Sequence, residues 1–176
     1  DIQGAKNSVL PILSATVLIK GISVIHNCPR LSDVYAAIEI LNSLGCSCTF
    51  EGHTVTVDAT DITKDSVPEE LMREMRSSLV FLGSIIGRNS SAVISSPGGC
   101  ELGPRPIDLH LSALRQLGVD ISEKHGNLYC FSKELTGNEI YLAFPSVGAT
   151  ENIMLAASKA KGVTVLHNAA HEPEIK

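Results

Sequence analysis

The sequence predicts an inside-out α/β domain built of threefold repeated helix-strand-helix-strand-strand units, with helices inside and sheets outside. Two observations predict this fold class: a repeat with a period of roughly 70 residues, and a contrast between helices that are apolar all round and strands that are apolar on one face. The chain has 176 residues, of which 44% are hydrophobic and 19% charged. We therefore expect a single domain over residues 1–176 that buries its own core.

The repeat is clearest in its first strand. Residues 21–27 read GISVIHN and recur as GVTVLHN at residues 162–168, and residues 91–96 show the same alternation. The central valines, Val24, Val93 and Val165, are 69 and 72 residues apart. The sequence thus predicts three copies of one strand, and a constant period of this kind indicates a fold built of repeated units.

The elements after each strand repeat as well. An amphipathic helix ends at Gly45 and another at Gly118, since glycine is the usual residue at a helix C-terminus. Two short strands joined by a tight turn follow each glycine. The third copy stops after its first strand, so we expect about two and a half units, that is, an incomplete domain.

The first helix of each unit predicts the layering. Residues 9–19 and 79–86 are apolar on nearly every side, which indicates helices surrounded by protein. The hairpin strands alternate instead, as in the TVTV run at residues 54–57, which is typical of a sheet with one packed face and one wet face.

Composition excludes several classes of protein. A net charge of -5, from 14 Lys and Arg against 19 Asp and Glu, argues against a general affinity for nucleic acid or acidic membranes. No apolar run reaches the ~18 residues of a membrane span. The five cysteines lack C-x-x-C spacing and predict reduced thiols in a cytoplasmic protein. Neither a dinucleotide fingerprint, a P-loop nor an H-E-x-x-H motif occurs, so no cofactor and no metal are predicted.

The loop at residues 95–109 is the first candidate site. Three glycines and three prolines allow it to approach a ligand closely, and long loops on a rigid scaffold are common functional sites. Pro106 is suited to be the first residue of the next helix, so the N–H groups after it and the Arg105 guanidinium predict an anion site. Cys100 lies among the glycines and is predicted to be exposed and reactive, whereas the other four cysteines are predicted to be small buried hydrophobes.

The second candidate site is the start of the first inner helix. Lys6 lies in the GAKN sequence at residues 4–7, where the helix dipole favours an anion beside it. The equivalent starts are at residues 74–78 and 146–150, and three helix N-termini are expected to converge. Arg76 is predicted to lie within a helix that turns apolar immediately after it, so its charge requires a partner or a ligand.

These motifs together resemble the UDP-N-acetylglucosamine 1-carboxyvinyltransferase family of enolpyruvyl transferases. The motifs are GAKN at 4–7, Met75-Arg76, PGGC at 97–100 followed by G-x-RPIDLH at 103–110, and SVGAT at 146–150. The resemblance runs the whole length of the chain. It implies an enzyme of peptidoglycan synthesis that transfers enolpyruvate from phosphoenolpyruvate to the 3-hydroxyl of UDP-N-acetylglucosamine.

The resemblance also implies a role for each matching residue. Cys100 would be the catalytic thiol that protonates the methylene carbon of phosphoenolpyruvate, and Lys6 and Arg105 would bind that substrate's phosphate and carboxylate. The residues implied to hold the sugar nucleotide are Asn7, Arg76, Arg105, Pro106, Ile107, Asp108, Leu109, Ser146, Val147 and Gly148. The implied partners are the two small-molecule substrates and a second domain of the same chain, with no nucleic acid and no membrane.

Two alternatives stay open on the sequence alone. One is a noncatalytic nucleotide-binding or scaffold domain of the same fold. The other is an RNA 3'-phosphate cyclase, against which the acidic net charge weighs. Because family members place the site between two domains, we expect the 176-residue chain alone to be inactive.

Overall fold

The computed structural model describes residues 4–75, 77–95 and 107–176. Over these residues the chain forms six α-helices: α1 (Lys6–Ala15), α2 (Ser32–Leu44), α3 (Glu69–Glu74), α4 (Phe81–Asn89), α5 (Asp108–Gln116) and α6 (Val147–Ala157). The strands in this part of the chain are β1 (Ile22–Ile25), β2 (Ser47–Glu51), β3 (Thr54–Asp58), β4 (Ser91–Ser95), β5 (Asp120–Lys124), β6 (Asn127–Phe131), β7 (Glu139–Tyr141) and β8 (Val165–His167). Short 3-10 turns follow α1 at Thr16–Leu18 and precede α4 at Ser78–Val80.

Two units have the same topology. The first runs α1-β1-α2-β2-β3 and forms a sheet of order β1-β3-β2, and the second runs α4-β4-α5-β5-β6 and forms a sheet of order β4-β6-β5. Every pairing in these two sheets is antiparallel. The predicted repeat is therefore present as two matching α/β units.

The glycines that end the second helices behave as predicted. Gly45 follows α2 with φ +105°, and Gly118 lies just beyond α5 with φ +93°. In each case the next residue bonds back to a helix carbonyl, Cys46 N to Leu41 O at 3.1 Å and Val119 N to Leu114 O at 3.1 Å. A left-handed glycine thus turns the chain into the hairpin in both units.

The third unit begins with a parallel pair. β7 pairs with β8, with Ile140 opposite Leu166. The second unit contains a similar parallel neighbour, since Val67 N bonds to Val93 O at 3.1 Å and Val93 N bonds to Asp65 O at 2.9 Å. β8 is thus the third copy of the strand represented by β1 and β4.

Helices lie inside and sheets outside, as predicted. Residues 81–86 of α4 are all buried, whereas Ile22 and Val24 on β1 face outward. The prediction that every first helix is surrounded by protein holds for α4 but is wrong for α1 and α6. Ile12 and Met154 are each 48% exposed, because α1 and α6 flank an open apolar groove that no other described residue fills.

The three inner helices are parallel. Ser14 contacts Ser84 (Oγ to Oγ, 2.8 Å), and one turn further Leu18 contacts Gly87. Likewise Asn152 on α6 contacts Gly83 on α4, and further along both segments Lys159 contacts Gly87. Since the contacts advance in the same direction, α1, α4 and α6 present their N-termini at one end of the domain.

Candidate functional site

The start of α6 is fixed by its own cap. Ser146 precedes the helix, and its Oγ accepts a hydrogen bond from the Ala149 N–H at 3.3 Å. The Ser146 carbonyl accepts from both the Thr150 N–H (2.9 Å) and the Thr150 hydroxyl (2.8 Å). The N–H groups of Val147 and Gly148 point out of the first turn with no carbonyl of the helix ahead of them. This arrangement suits an anion such as a diphosphate.

The second unit supplies the neighbouring helix start. α5 begins at Asp108 with Ile107 before it. Pro106, the predicted first residue of this helix, lies outside the described residues, and among the described ones the helical hydrogen bonding begins with Leu111 N to Ile107 O. Asp108 is exposed at the tip, whereas Ile107 and Leu109 are half-buried and pack against the core.

His110 brings these two helix starts together. Its Nδ1 lies 3.0 Å from Nδ2 of Asn152 on α6, and a Cβ at Gly148 would lie 3.4 Å from its Cε1. The imidazole is therefore packed on the first two turns of α6. Burial lowers the pKa of His110 to about 4, so the ring is neutral at physiological pH. Residues 107–109 and 146–148 consequently lie at adjacent helix starts.

Lys6 is the first residue of α1 and is exposed. Its ammonium forms an ion pair with Asp33, a mostly buried carboxylate near the start of α2. Asn7 follows it on the same exposed turn. Because α1 is parallel to α6, Lys6 and Asn7 lie at the end of the domain that carries the starts of α5 and α6. A cation held by one carboxylate at this end would also favour an incoming phosphate or carboxylate.

The remaining predicted site residues, Arg76, Cys100, Arg105 and Pro106, lie outside the described residues. The helix start predicted around residues 74–78 lies at the last residue of that range, where a 3-10 turn leads into α4. α3 ends at Glu74, Met75 is extended (φ -114°, ψ 119°) and fully buried, and the next helical turn begins at Ser78.

Sequence reasoning missed three residues of this end of the molecule: Asp33, His110 and Asn152. His110 closes the RPIDLH run that marked the candidate loop, so its position next to that motif was an available signal. No comparable signal in the sequence marks Asn152 and Asp33, since a single polar residue in a helical segment usually faces solvent.

Three of the other four cysteines are buried as predicted, and Cys48 is not. Cys28, Cys46 and Cys130 are buried, and Cys48 is half-buried. Burial raises the pKa of the Cys46 and Cys130 thiols to about 11 and that of Cys48 to about 12. These thiols remain protonated at neutral pH and are poor nucleophiles.

Within the described ranges, no three His, Cys, Asp or Glu side chains cluster in a way that could hold a metal ion. No helix in that same part of the chain has both the length and the apolar character that crossing a bilayer demands.

A family model described as EPSP synthase (3-phosphoshikimate 1-carboxyvinyltransferase) matches residues 1–176. The chain belongs to the EPSP synthase family. Membership confirms the predicted resemblance to enolpyruvyl transferases.

Relatives within the EPSP synthase family are similar over the full length of the chain. UDP-N-acetylglucosamine 1-carboxyvinyltransferase 2 of Caldanaerobacter subterraneus subsp. tengcongensis is 57% identical over 176 residues, which are 100% of this chain and 42% of the relative. UDP-N-acetylglucosamine 1-carboxyvinyltransferase 1 of Carboxydothermus hydrogenoformans is 47% identical over 174 residues, 99% of this chain and 41% of the relative. The chain thus spans about two-fifths of the length of these relatives.

Solved structures of an enolpyruvyl transferase and an EPSP synthase share the fold. The enolpyruvyl transferase NikO from Streptomyces tendae superposes with a TM-score of 0.83 at 22% identity, covering 98% of this chain and 41% of NikO. EPSP synthase from Acinetobacter baumannii superposes with a TM-score of 0.72 at 18% identity, covering 98% and 40%. The predicted fold class is therefore confirmed.

Proposed function

We propose that the protein containing this chain is a UDP-N-acetylglucosamine 1-carboxyvinyltransferase, a cytoplasmic enzyme of peptidoglycan synthesis. The observation that carries the proposal is the pairing of the α5 and α6 starts by His110, at the end of the domain that also presents Lys6. Two helix N-termini and an ammonium provide what two anionic substrates need. The name of the relative that is 57% identical over the whole chain supports the choice of substrates.

The proposed reaction is an addition followed by an elimination. The sugar 3-hydroxyl oxygen adds to C2 of phosphoenolpyruvate while a proton is delivered to C3, which gives a tetrahedral intermediate. Loss of phosphate from C2 and of a proton from C3 then restores the double bond as an enolpyruvyl ether. No oxidant or reductant is required.

The roles of the residues are part of the proposal. Cys100 is the thiol that protonates C3 and that an electrophile can capture as a covalent adduct. Lys6 and Arg105 bind the phosphate and carboxylate of phosphoenolpyruvate. The sugar nucleotide is held by Asn7, Arg76, the run 105–109, and Ser146, Val147 and Gly148. An acid and fixed cations match a reaction that moves a proton to carbon and releases phosphate.

The domain organisation is proposed as well. The chain forms one incomplete domain, and the rest of the longer protein completes its third unit and adds a second domain that closes over the substrates. That domain supplies the general base for the sugar hydroxyl.

The deciding experiment is an assay of the full-length protein with both substrates. We expect phosphate release that requires UDP-N-acetylglucosamine and phosphoenolpyruvate together. Fosfomycin, an epoxide that resembles phosphoenolpyruvate, should label Cys100 once, faster when the sugar nucleotide is present. Cys100→Ser is the matched control and should abolish labelling. Binding of UDP-N-acetylglucosamine without turnover or labelling would instead indicate a noncatalytic nucleotide-binding domain.

A further inference from the structure

Asn152 is a fully buried amide on α6 that faces α4 and α5. Its Oδ1 accepts from the Gly83 N–H at 2.5 Å, and its Nδ2 donates to the Leu79 carbonyl at 3.1 Å. Gly83 and Leu79 are four residues apart, so these are the two peptide groups that an uninterrupted α-helix would join to each other. The Asn152 side chain bridges them instead, where the 3-10 turn Ser78–Val80 leads into α4.

The hydrogen bonds of Asn152 determine the state of His110. Since the Gly83 N–H can only donate, the Asn152 atom that faces it is the carbonyl oxygen Oδ1, which settles the orientation of the amide. Its Nδ2 can only donate, so the Nδ1 atom of His110, 3.0 Å away, accepts. The proton of the neutral imidazole therefore lies on Nε2.

The side chains and backbone of this network are closely packed, so they have little room to move. A Cβ at Gly83 would lie 2.2 Å from the Asn152 carbonyl oxygen and 2.5 Å from its Oδ1. On its other side, the His110 ring lies in van der Waals contact with the position of Gly148 in the first turn of α6. One side-chain pair thus links three helices at their starts: α4 through Gly83, α5 through His110 and α6 through Asn152.

We propose that His110, acting through Asn152, is a positioning residue that sets the spacing between the first turns of α5 and α6 for binding of the sugar nucleotide. The inference rests on the proposed function, in which residues 107–109 and 146–148 hold that substrate. Without the Nδ1 acceptor, the Asn152 Nδ2–H loses one partner, and the α5 start is no longer tied to α6.

Two substitutions in the full-length protein separate positioning from mere packing. His110→Leu keeps most of the ring's volume and removes the acceptor, whereas His110→Asn places an amide oxygen near the position of Nδ1. We expect His110→Leu to weaken UDP-N-acetylglucosamine binding about tenfold, the scale of one lost buried hydrogen bond, and to leave the KM for phosphoenolpyruvate within about threefold. His110→Asn should recover sugar-nucleotide binding to within about threefold of wild type. His26→Leu, at an exposed strand end, is the matched control and should change neither value.

The outcomes are distinguishable. Equal losses of melting temperature in both variants, with wild-type affinity for the nucleotide, would mean that the pair is only structural and would overturn the inference. If wild type fails to bind UDP-N-acetylglucosamine, the proposed function fails and this inference with it. Nitrogen-15 NMR of histidine-labelled wild type tests the network even if His110→Leu does not fold. The His110 resonance should report the Nε2–H tautomer, and an Nδ1–H tautomer would contradict the network.

Discussion

At the scale of single residues, Glu151 on α6 is a partly buried carboxyl group whose surroundings disfavour its charged form. Burial raises its pKa to about 7, and the nearby Glu174 and Glu172 add to the effect. An unfolded glutamate titrates near ~4.3. Between these values the native state binds a proton that the unfolded state has lost, so the contribution of Glu151 to stability falls as pH rises from about 4.5 through 7.

Glu151→Gln should therefore stabilise the chain at pH 8 but not at pH 4. We expect the melting temperature at pH 8 to rise by roughly 1–3 °C, a discounted figure for a carboxylate that retains contact with water. Thermal melts from pH 4 to pH 8 provide the measurement. Glu123→Gln, on the exposed side of β5, is the matched control. A difference from wild type that stays constant across this range would contradict the prediction.

The Cys48 thiol changes stability in the same direction as Glu151, but at higher pH. Its pKa is raised to about 12 by burial first, then by Cys46 and Glu39. Because the unfolded thiol ionises near ~8.5, the unfolded state loses its proton first, and stability declines as pH rises above that value. Cys48→Ala should lose less stability than wild type between pH 8 and pH 10.5. Urea unfolding at the two pH values measures this, and parallel losses in both proteins would refute it.

At the scale of elements, the start of the third sheet depends on one close approach. Gly137 lies just before β7, and its N–H donates to the Lys161 carbonyl at 2.7 Å. A Cβ there would lie 2.3 Å from the Val163 carbonyl oxygen and 2.8 Å from its backbone nitrogen. Backbone atoms cannot rotate aside as a side chain can, so an added methyl would push β7 away from β8.

Gly137→Ala should accordingly cost about 2–4 kcal/mol of unfolding free energy, in the range of overpacking. Gly52→Ala is the comparison, because Gly52 has a left-handed φ of +58° with open space around it. Only dihedral strain opposes that change, so its cost should stay near ~1 kcal/mol. Denaturant unfolding of both variants measures the two losses of unfolding free energy. Equal losses would contradict the prediction, because they would show that the backbone around Gly137 shifts easily to admit a methyl group.

The elements that could be predicted from sequence are those encoded by local patterns. The hairpins and the glycine caps follow from turn residues and periodicity, and β3 has the predicted bounds of residues 54–58. The junction between the 3-10 turn at Ser78–Val80 and α4 was not predictable. Asn152 lies about 70 residues away from the two peptide groups that it bridges there, and no window around residues 74–83 contains that information.

At the scale of the whole molecule, the same distinction applies to the candidate site. Lys6, residues 107–109 and residues 146–148 were predicted from helix-start motifs, and the parallel inner helices bring their N-termini to one end. The Asp33 partner of Lys6 and the His110–Asn152 pair depend on which helices become neighbours. The repeat predicts that helices of different units pack together, but it does not predict which of their side chains come into contact.

The last prediction concerns what this domain can do without the rest of the protein. The chain spans about two-fifths of its relatives' length, and it leaves an apolar groove open between α1 and α6. A general base for the sugar hydroxyl, proposed to come from the second domain, is typically worth 10²–10⁴ in rate, on the order of two decades at least. We therefore expect the isolated 176-residue chain to fold but to release phosphate at less than roughly a hundredth of the full-length rate. Paired assays at equal concentrations test this, with circular dichroism to establish that the isolated chain is folded. Turnover by a folded isolated chain close to the full-length rate would show that one domain holds all the catalytic groups and would overturn the proposed division of the site.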